Sequence, residues 1–189
     1  MANTIQDFKS TLIGGGARPN LFEVILTDIP GGQGNFVPST FSILCKAAQL
    51  PASNIASIDV PFRGRIFKVA GDRTFDSWTV TIINDEDFSI RSAMEGWMQF
   101  ISQYGDASGS TDPNDYMREA TVRQLTRNAS TTGNTAFGGD LSVAAQYKFY
   151  DIFPTNISAI DLSYDTSDTI EEFTVEFQVQ YWTPSSGQS

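Results

Sequence analysis

The chain lacks the residues on which most enzyme active sites depend. Its 189 residues include no histidine and a single cysteine, Cys45. The absence of histidine excludes Ser-His-Asp triads, most zinc sites and the usual general base near neutral pH. One cysteine excludes an intramolecular disulfide framework, and its place in the apolar stretch FSILCKA favours a buried thiol over a nucleophile. We therefore expect no enzyme activity, no metal and no cofactor.

Charge is also scarce, and it is mostly of one sign. Charged residues make up 18% of the chain, with 22 acidic against 12 basic residues and a net charge of −10. Soluble domains average roughly 25% charged residues. A chain with this acidic balance is poorly suited to grip DNA phosphates. With 40% hydrophobic and 12% aromatic residues, the composition suits a protein that covers much of its surface with copies of itself.

Two further absences concern localisation. No stretch approaches the ~18 consecutive apolar residues that a membrane-spanning helix requires. The first residues, MANTIQDFKST, contain no apolar signal core, so we expect synthesis in a cytoplasm.

Alternating apolar and polar residues predict that most of the chain is β-strand. The longest such pattern is EEFTVEFQVQYW, which we interpret as one extended strand. Shorter patterns predict strands in LFEVILTDI, FSILCKA, SWTVTIIN and AQYKFYDI, and NISAIDLSY is expected to begin a closing pair of strands. By contrast, DFSIRSAMEGWMQFISQYG has the spacing of a helix, with Asp87 or Ser89 as its cap and Gly105 as its stop. The fold class predicted is mainly β: an antiparallel β-sandwich or barrel with one amphipathic α-helix.

We expect one domain over residues 1–189, with an N-terminal arm at 1–17 and a flexible C-terminal tail at 183–189. Three long loops are predicted at 30–40, 105–115 and 128–140. Compact domains rarely contain so many loop residues without a function for them.

Local motifs that suggest chemistry have simpler interpretations. IGGGARPN lacks the preceding strand and the spacing of a phosphate-binding loop, so a flexible joint ending at Pro19 is favoured. GDASGSTDPND resembles a calcium loop but lacks the required glycine and the final glutamate, which favours a solvated loop. The acidic cluster NDEDF is placed to cap a helix, because the helix dipole favours acids there.

Long amphipathic strands raise the question of what covers their edges. An exposed edge strand promotes aggregation unless it is paired or covered. Copies of one chain can solve this by pairing edges around a ring and closing a shared barrel.

Four blocks of the sequence resemble one family in the family's order. They are ARPNLFEV, CKAAQLPASNI, VAGDRTFDSWTVTIINDED and FPTNISAIDLSYDTSDTIEEFTVEFQVQYW, roughly two thirds of the chain. They resemble the major tail tube protein of T-even-like contractile-tailed bacteriophages. The resemblance implies six copies per ring and rings stacked into a tube with a continuous inner β-barrel. The tube lies inside a contractile sheath, is part of the virion, assembles in the host bacterial cytoplasm and conducts DNA without binding it specifically.

The resemblance also implies partners and residue roles. The partners are further copies of the chain, the tail sheath protein, and the baseplate and tail terminator proteins. We hypothesise that Asp72, Arg73 and Asp76 form ion pairs between subunits or rings, with an intrachain loop brace as the equal alternative. The other assignments are a possible interface for Trp182, a joint at Arg18 and Pro19, a turn into the closing strands at Phe153, Pro154 and Asn156, and lumen positions for Glu172 and Glu176.

Two alternatives stay open at this point. The first is the inner tube of a non-viral contractile injection system or of a defective prophage particle. The more distant one is a β-sandwich carbohydrate-binding module, in which tryptophans would form an exposed stacking platform. Trp78 and Trp97 fall on apolar stripes, which favours core packing for both.

Overall fold

The computed structural model describes residues 4–12, 16–32, 36–106, 108–127, 143–165 and 168–185. The helices are α1 (Ile5–Thr11), α2 (Pro38–Leu44), α3 (Ser89–Ile101) and α4 (Pro113–Tyr116), with a 3₁₀ turn at Pro30–Gly32. The strands are β1 (Phe22–Leu26), β2 (Cys45–Ala48), β3 (Ser53–Phe62), β4 (Arg65–Phe75), β5 (Trp78–Ile83), β6 (Arg118–Leu125), β7 (Val143–Ile157), β8 (Glu172–Gln178) and β9 (Tyr181–Ser185). In these ranges, no helix is both long and apolar enough to span a membrane.

Seven strands form a continuous antiparallel system that folds over on itself. Its order is β1-β6-β7-β8-β5-β2, and β9 also pairs with β7. The first half of β7 pairs with β6 and β9, whereas its second half pairs with β8. Asp151 has a φ of 55° where this change occurs. Strands that bend in this way make the corners between packed sheets. We call β1-β6-β7-β9 the first sheet and β7-β8-β5-β2 the second sheet.

One apolar core lies between the sheets and against α3. Trp78 stacks on Phe149 with ring centroids 4.6 Å apart, and Phe177 contacts both Trp78 and Trp97. The Trp78 Nε1 donates to the Gln49 carbonyl at 3.0 Å. Both tryptophans are buried in this core, as their apolar stripes predicted. The antiparallel strand system confirms the prediction of a mainly β, antiparallel fold.

Helix α3 follows the predicted helical spacing, although its start differs from the prediction. Ile90, Met94 and Trp97 are buried on one face. The cap position is Phe88, in the left-handed conformation, and no side chain caps the helix there. The carboxylate of Asp85 instead accepts from the Ser89 backbone N–H at 3.2 Å and from its hydroxyl at 2.9 Å. An acidic side chain of the NDEDF cluster thus stabilises the first turn of the helix, but it is Asp85 and not Asp87.

Several predicted strands are wrong in extent or type. FSILCKA is a helix, α2, followed by β2, because Pro38 starts a helix in which Phe41 is buried while Ile43 stays 80% exposed. Such a short apolar run does not distinguish helix from strand by periodicity alone. Residues 158–164 of NISAIDLSY, the segment predicted to begin the closing pair of strands, are not strand, and neither is residue 171.

EEFTVEFQVQYW is two strands, because β8 and β9 are separated at Val179 and Gln180. The alternation of buried residues continues to Val179, but Tyr181 is exposed. Strand β9 then pairs with β7, so positions 183–185 of the predicted tail are ordered in the sheet. Residues 186–189 lie outside the described residues.

The predicted loops contain short regular elements. The loop at 30–40 includes the 3₁₀ turn and the start of α2, and the loop at 105–115 includes the start of α4. The loop at 128–140 lies outside the described residues. In the predicted N-terminal arm, residues 5–11 form α1 with a capping box between Thr4 and Asp7.

Candidate assembly surfaces

The largest feature that sequence patterns did not predict is the hairpin formed by β3 and β4. Its two strands pair only with each other, as a separate two-stranded sheet. Arg63 and Gly64 connect them with φ angles of 46° and 83°. Two successive positive φ angles define the turn type that suits a two-residue hairpin loop. The hairpin is a surface feature throughout, with no buried residue in either strand.

The hairpin has one apolar face. Cross-strand neighbours place Ile58 opposite Val69, Val60 opposite Phe67 and Phe62 opposite Arg65. The exposed fractions of Val60 and Phe67 are 43% and 66%, so water reaches side chains that would be buried in a core. A face of this kind marks an interaction site more often than a free surface. The described part of the chain supplies no cover for it.

The opposite face of the hairpin is mixed. Lys68 pairs with Asp59 across the strands at 3.1 Å. Ser57 and Arg73 lie on the same face, since β3 alternates Ile55, Ser57 and Asp59 and Ile55 is opposite Arg73. Ile55 and Ile66 also lie on this face and are 55% and 64% exposed. All the charged side chains named here are therefore on this face, but it also exposes apolar side chains.

Trp182 holds the base of the hairpin to the sandwich. Its indole Nε1 donates to the Ala52 carbonyl at 3.1 Å. Its ring meets Phe75 edge-on at 6.1 Å and Tyr147 at 5.8 Å. Trp182 is half-buried inside its own chain, so it serves as an internal anchor. This contact fixes where the hairpin emerges, and the interface role of Trp182 stays a prediction.

The predicted charge cluster belongs to this hairpin and is not a loop before β5. Asp72 and Arg73 lie within β4, next to the register shift opposite Ala56. Asp76 follows the strand and accepts two hydrogen bonds from the Asn54 side-chain amide, at 3.1 and 3.2 Å. Asp76 therefore braces its own hairpin. Among the described residues, no hydrogen bond or ion pair is formed by the side chains of Asp72 and Arg73.

The residues assigned to a turn before the closing strands lie within a strand instead. Phe153, Pro154 and Asn156 belong to β7 and pair with β8. The register shifts between Pro154 and Asn156, which is where a strand tolerates a proline that has no N–H to donate. The reason for the error is that β7 does not stop at its corner but bends through it.

Arg18 and Pro19 precede β1 in a turn. The Arg18 carbonyl accepts from the Leu21 N–H at 3.1 Å and from the Gln124 side-chain amide at 2.7 Å. The Gln124 contact thus attaches the Arg18–Pro19 joint to the C-terminal end of β6. Residues 13–15 of the glycine run lie outside the described residues.

Glu172 and Glu176 lie on the face of the second sheet that is directed away from the core. Their neighbours in β8, Phe173, Val175 and Phe177, are directed inward. Glu172 pairs with Lys46, and Glu176 accepts from the Ser77 hydroxyl. These carboxylates are therefore partly engaged within the chain.

A pocket of about 610 Å³ lies under the segment between β7 and β8. It is lined by Ala159, Ile160, Asp161, Leu162, Ser163, Tyr164, Thr169, Ile170, Glu171 and Glu172. Leu162, Tyr164 and Ile170 in this segment are all largely exposed. The segment combines apolar side chains with carboxylates.

The acidic residues of the GDASGSTDPND motif serve local structure. Asp106 accepts from the backbone and hydroxyl of Ser108, which lowers the pKa of its carboxyl, and Asp112 caps α4 through the Asn114 N–H. No group of residues that could hold a metal occurs in the described ranges. Burial raises the pKa of the Cys45 thiol to about 12.

The sequence around the turn contains a signal for the hairpin. In IDVPFRGRIFKV, the run from Ile58 to Val69, apolar residues alternate with others before Arg63-Gly64, and after it only Ile66 interrupts the alternation. A two-residue turn with glycine between alternating runs is a typical hairpin pattern.

Comparison with known proteins places this architecture in one class. Residues 17–185 match the model of the phage tail tube protein family. The chain belongs to that family, whose members are structural components of the phage particle. The match begins after α1.

Relatives and solved structures agree with the family. The chain is 34% identical to tail tube protein gp19 of Enterobacteria phage T4 over 166 residues, 88% of this chain and 90% of that protein. It is 24% identical over 136 residues to the tail tube protein of Serratia phage KSP90, 72% of this chain and 70% of that protein.

Two solved structures share the fold at low sequence identity. The tube-terminating cap of the anti-feeding prophage matches with a TM-score of 0.60 at 16% identity, covering 90% of this chain and 91% of that one. A chain of the PVC sheath-tube complex, from an extracellular contractile injection system, matches with a TM-score of 0.54 at 13% identity, covering 94% and 96%.

Proposed function

We propose that this protein is the repeating subunit of the inner tube of a contractile phage tail. Six copies form a ring, rings stack into a tube, and the tube conducts the genome into the host. The observation that carries this proposal is the β3–β4 hairpin, whose apolar face and outer edges have no cover in the described chain. Membership of the tail tube family supports it.

The hairpin needs a neighbour for physical reasons. A two-stranded hairpin alone is at best marginally stable in water. Strands of 10 and 11 residues with unpaired outer edges also attract further strands. A second copy that covers the apolar face and pairs an edge solves both problems. Since donor and receiving surfaces differ, the contact repeats from copy to copy, and a rotation that closes on itself makes a ring.

The charges suit a conduit for DNA. The chain carries a net charge of −10, and like-charge repulsion keeps a duplex away from the wall. The face of the hairpin that carries Asp59 and Lys68 is left towards water in this arrangement. We assign Glu172 and Glu176 to the lumen as well, and a tube map with both residues away from the channel would contradict that assignment.

The proposal includes partners beyond the chain itself. The tail sheath protein surrounds the tube, and baseplate and tail terminator proteins close its ends, after assembly in the host cytoplasm. Solved structures with this fold come from a sheath-tube complex and a tube cap, which supports the proposal.

A second candidate is the inner tube of a non-viral contractile injection system or of a defective prophage particle. The two solved structures favour it, because both have the fold and belong to such particles. The 34% identity to a phage protein favours the phage assignment over it. Neighbouring capsid and portal genes would decide for the phage. A carbohydrate-binding module is disfavoured, because Trp78 and Trp97 are buried and Trp182 is half-buried.

Electron microscopy of the purified protein tests the proposal directly. We expect rings or tubes with six subunits around the axis, and a persistent monomer at high concentration would contradict the proposal. Arg73→Glu tests the charge cluster separately. We expect fewer or shorter tubes from this variant, and normal tubes would show that Arg73 forms no contact needed between subunits.

A further inference from the structure

Two tyrosines stack on each other where the last strand joins the first sheet. Tyr150 in β7 and Tyr181 in β9 are direct cross-strand neighbours. Their ring centroids are 4.7 Å apart and their planes differ by 12°. We propose that this pair is an oxidative modification site, at which a one-electron oxidant joins the two rings as dityrosine and bonds β9 covalently to β7. The inference concerns a single chain and does not depend on the tube function.

The geometry of the stack brings the reactive carbons together. A tyrosyl radical carries much of its unpaired electron on the two ring carbons next to the phenolic carbon. Dityrosine forms when one such carbon of each ring bonds to the other. A nearly parallel stack at this separation is offset, so edge carbons of one ring lie at about van der Waals distance from the other, ~3.5–4 Å. Coupling therefore requires a small shift of two side chains and no movement of a strand.

No other tyrosines of the chain are arranged in this way. All six tyrosines lie in the described ranges, and this is the only ring contact between two of them. Tyr116 and Tyr147 contact rings of other residue types. Tyr104 and Tyr164 are largely exposed and have no ring contact in the part of the chain that the structure describes. Coupling within one chain is therefore expected at a single site.

Neighbouring groups hold the stack in place but leave it open to water. The Lys148 Nζ lies 4.7 Å from the centroid of the Tyr150 ring and pairs with Glu119 at 2.7 Å. A cation over an aromatic face is attracted to the ring, which keeps the ring of Tyr150 oriented. Tyr181 is 43% exposed and Tyr150 is half-buried. An oxidant can therefore take electrons from the pair, and water can take the phenolic protons.

The modification is a two-electron oxidation of the chain. Each tyrosine gives one electron to the oxidant and its phenolic proton to water, which leaves two phenoxyl radicals. The radicals form one carbon–carbon bond. Each bonded carbon then loses its hydrogen as a proton, and each phenoxyl oxygen takes up a proton. When hydrogen peroxide is the final electron acceptor, one peroxide takes up the two electrons and two protons and becomes two waters, and the chain has lost two hydrogen atoms.

The cross-link would stabilise the end of the fold. A bond between Tyr150 and Tyr181 closes a loop of about 30 residues, which restricts the unfolded chain. Strand β9 also carries Trp182, whose hydrogen bond to Ala52 holds the base of the hairpin. The single, buried Cys45 cannot form a disulfide within the chain. Tyrosine coupling is therefore a covalent cross-link that one chain can form from its own side chains.

Oxidation of the purified, unassembled protein at low concentration tests the site. A peroxidase with hydrogen peroxide supplies the one-electron oxidant, and denaturing electrophoresis separates monomers from products that join two chains. We expect a monomer that has lost two hydrogen atoms, has dityrosine fluorescence and shows a link between Tyr150 and Tyr181 by tandem mass spectrometry. Its yield should not change on dilution, because the reaction is intramolecular.

Two single substitutions are the matched variants. Tyr181→Phe should abolish the cross-linked monomer, because phenylalanine keeps the stacked ring and the fold but forms no phenoxyl radical. Tyr104→Phe removes an exposed tyrosine outside the pair and should retain the product. Dityrosine that occurs only in dimers overturns the proposal, and so does a cross-linked monomer that persists in Tyr181→Phe.

Thermal melting of the cross-linked monomer tests the stabilisation. Closure of a loop of this size should raise the melting temperature by roughly 10 °C. The same treatment of Tyr181→Phe should leave its melting temperature unchanged. A monomer with the Tyr150–Tyr181 link but no rise in melting temperature would overturn the stabilising role. Since all these measurements use unassembled chains, a failure of the proposed tube function would not alter any of them.

Discussion

Replacement of Phe67 by serine separates assembly from folding. Phe67 lies at the middle of the apolar face of the hairpin, opposite Val60, and is 66% exposed. A phenylalanine has ~150–250 Å² of surface to bury, so ~130 Å² stays exposed here for a neighbouring copy to cover. At ~25 cal/mol per Å², that cover contributes about 3 kcal/mol to each contact between copies.

The change should therefore affect assembly and leave the isolated chain almost unaltered. A loss of about 3 kcal/mol raises the dissociation constant of the contact by roughly a hundredfold. An exposed side chain contributes little to folding, so the free energy of unfolding should change by less than ~0.5 kcal/mol. The assays are the critical concentration for sedimentable tubes and urea unfolding of the unassembled protein.

Ile66→Ser is the matched control. Ile66 is the adjacent residue, is 64% exposed and lies on the opposite face of the same strand. We expect a much smaller effect on assembly from this variant. Equal effects of the two variants would refute the assignment of the apolar face, as would a Phe67→Ser chain that assembles normally.

Three further predictions concern the fold. Trp182→Ala should lower the free energy of unfolding by about 2 kcal/mol in urea, because the hydrogen bond to Ala52 and the packing at the hairpin base are lost; an unchanged midpoint would contradict the anchor. Cys45 should stay unreactive towards a thiol reagent at pH 8 until the protein unfolds, since burial raises its pKa to about 12, and immediate labelling would show an accessible thiol. The hydrogen bond to Glu119 raises the pKa of Lys148, so the pair stabilises the folded protein fully below pH ~10.4, the pKa of an unperturbed lysine, and this contribution is lost as pH rises through the folded-state pKa. The melting temperatures of Lys148→Met and wild type should therefore converge as pH rises through that pKa. A difference in melting temperature that stays constant with pH would exclude this linkage.

Sequence patterns predicted the elements whose periodicity is set by the core. Trp78, Val80 and Ile82 are buried along β5, and Ile90, Met94 and Trp97 along α3, because each of these faces packs against the other elements. Alternation also identified β8, and the alternation of buried residues continues one position past it to Val179. Where buried positions recur with a regular period, the pattern of apolar residues in the sequence is enough to identify the helix or strand.

The same patterns were wrong where tertiary context decides. Phe41 and Ile43 have the spacing of a strand, but Pro38 and the packing of Phe41 make that segment a helix. Pro154 was interpreted as a turn residue, although it lies in β7, where the shift in register tolerates it. Asp72 and Arg73 were placed before a strand, because the alternation of β4 is not accompanied by burial.

The sequence by itself determined that the chain has no histidine and one cysteine, and it determined the acidic balance, the β class and the family resemblance. These follow from composition, from local period and from blocks of residues, none of which requires knowledge of long-range contacts. Only the tertiary structure decided that β7 and the pair β8–β9 turn the same corner between two sheets. It also decided that VAGDRTF lies in an exposed hairpin whose apolar face has no cover in the described chain. The physical reason is that a strand's periodicity specifies two faces, whereas only packing specifies what, if anything, covers them.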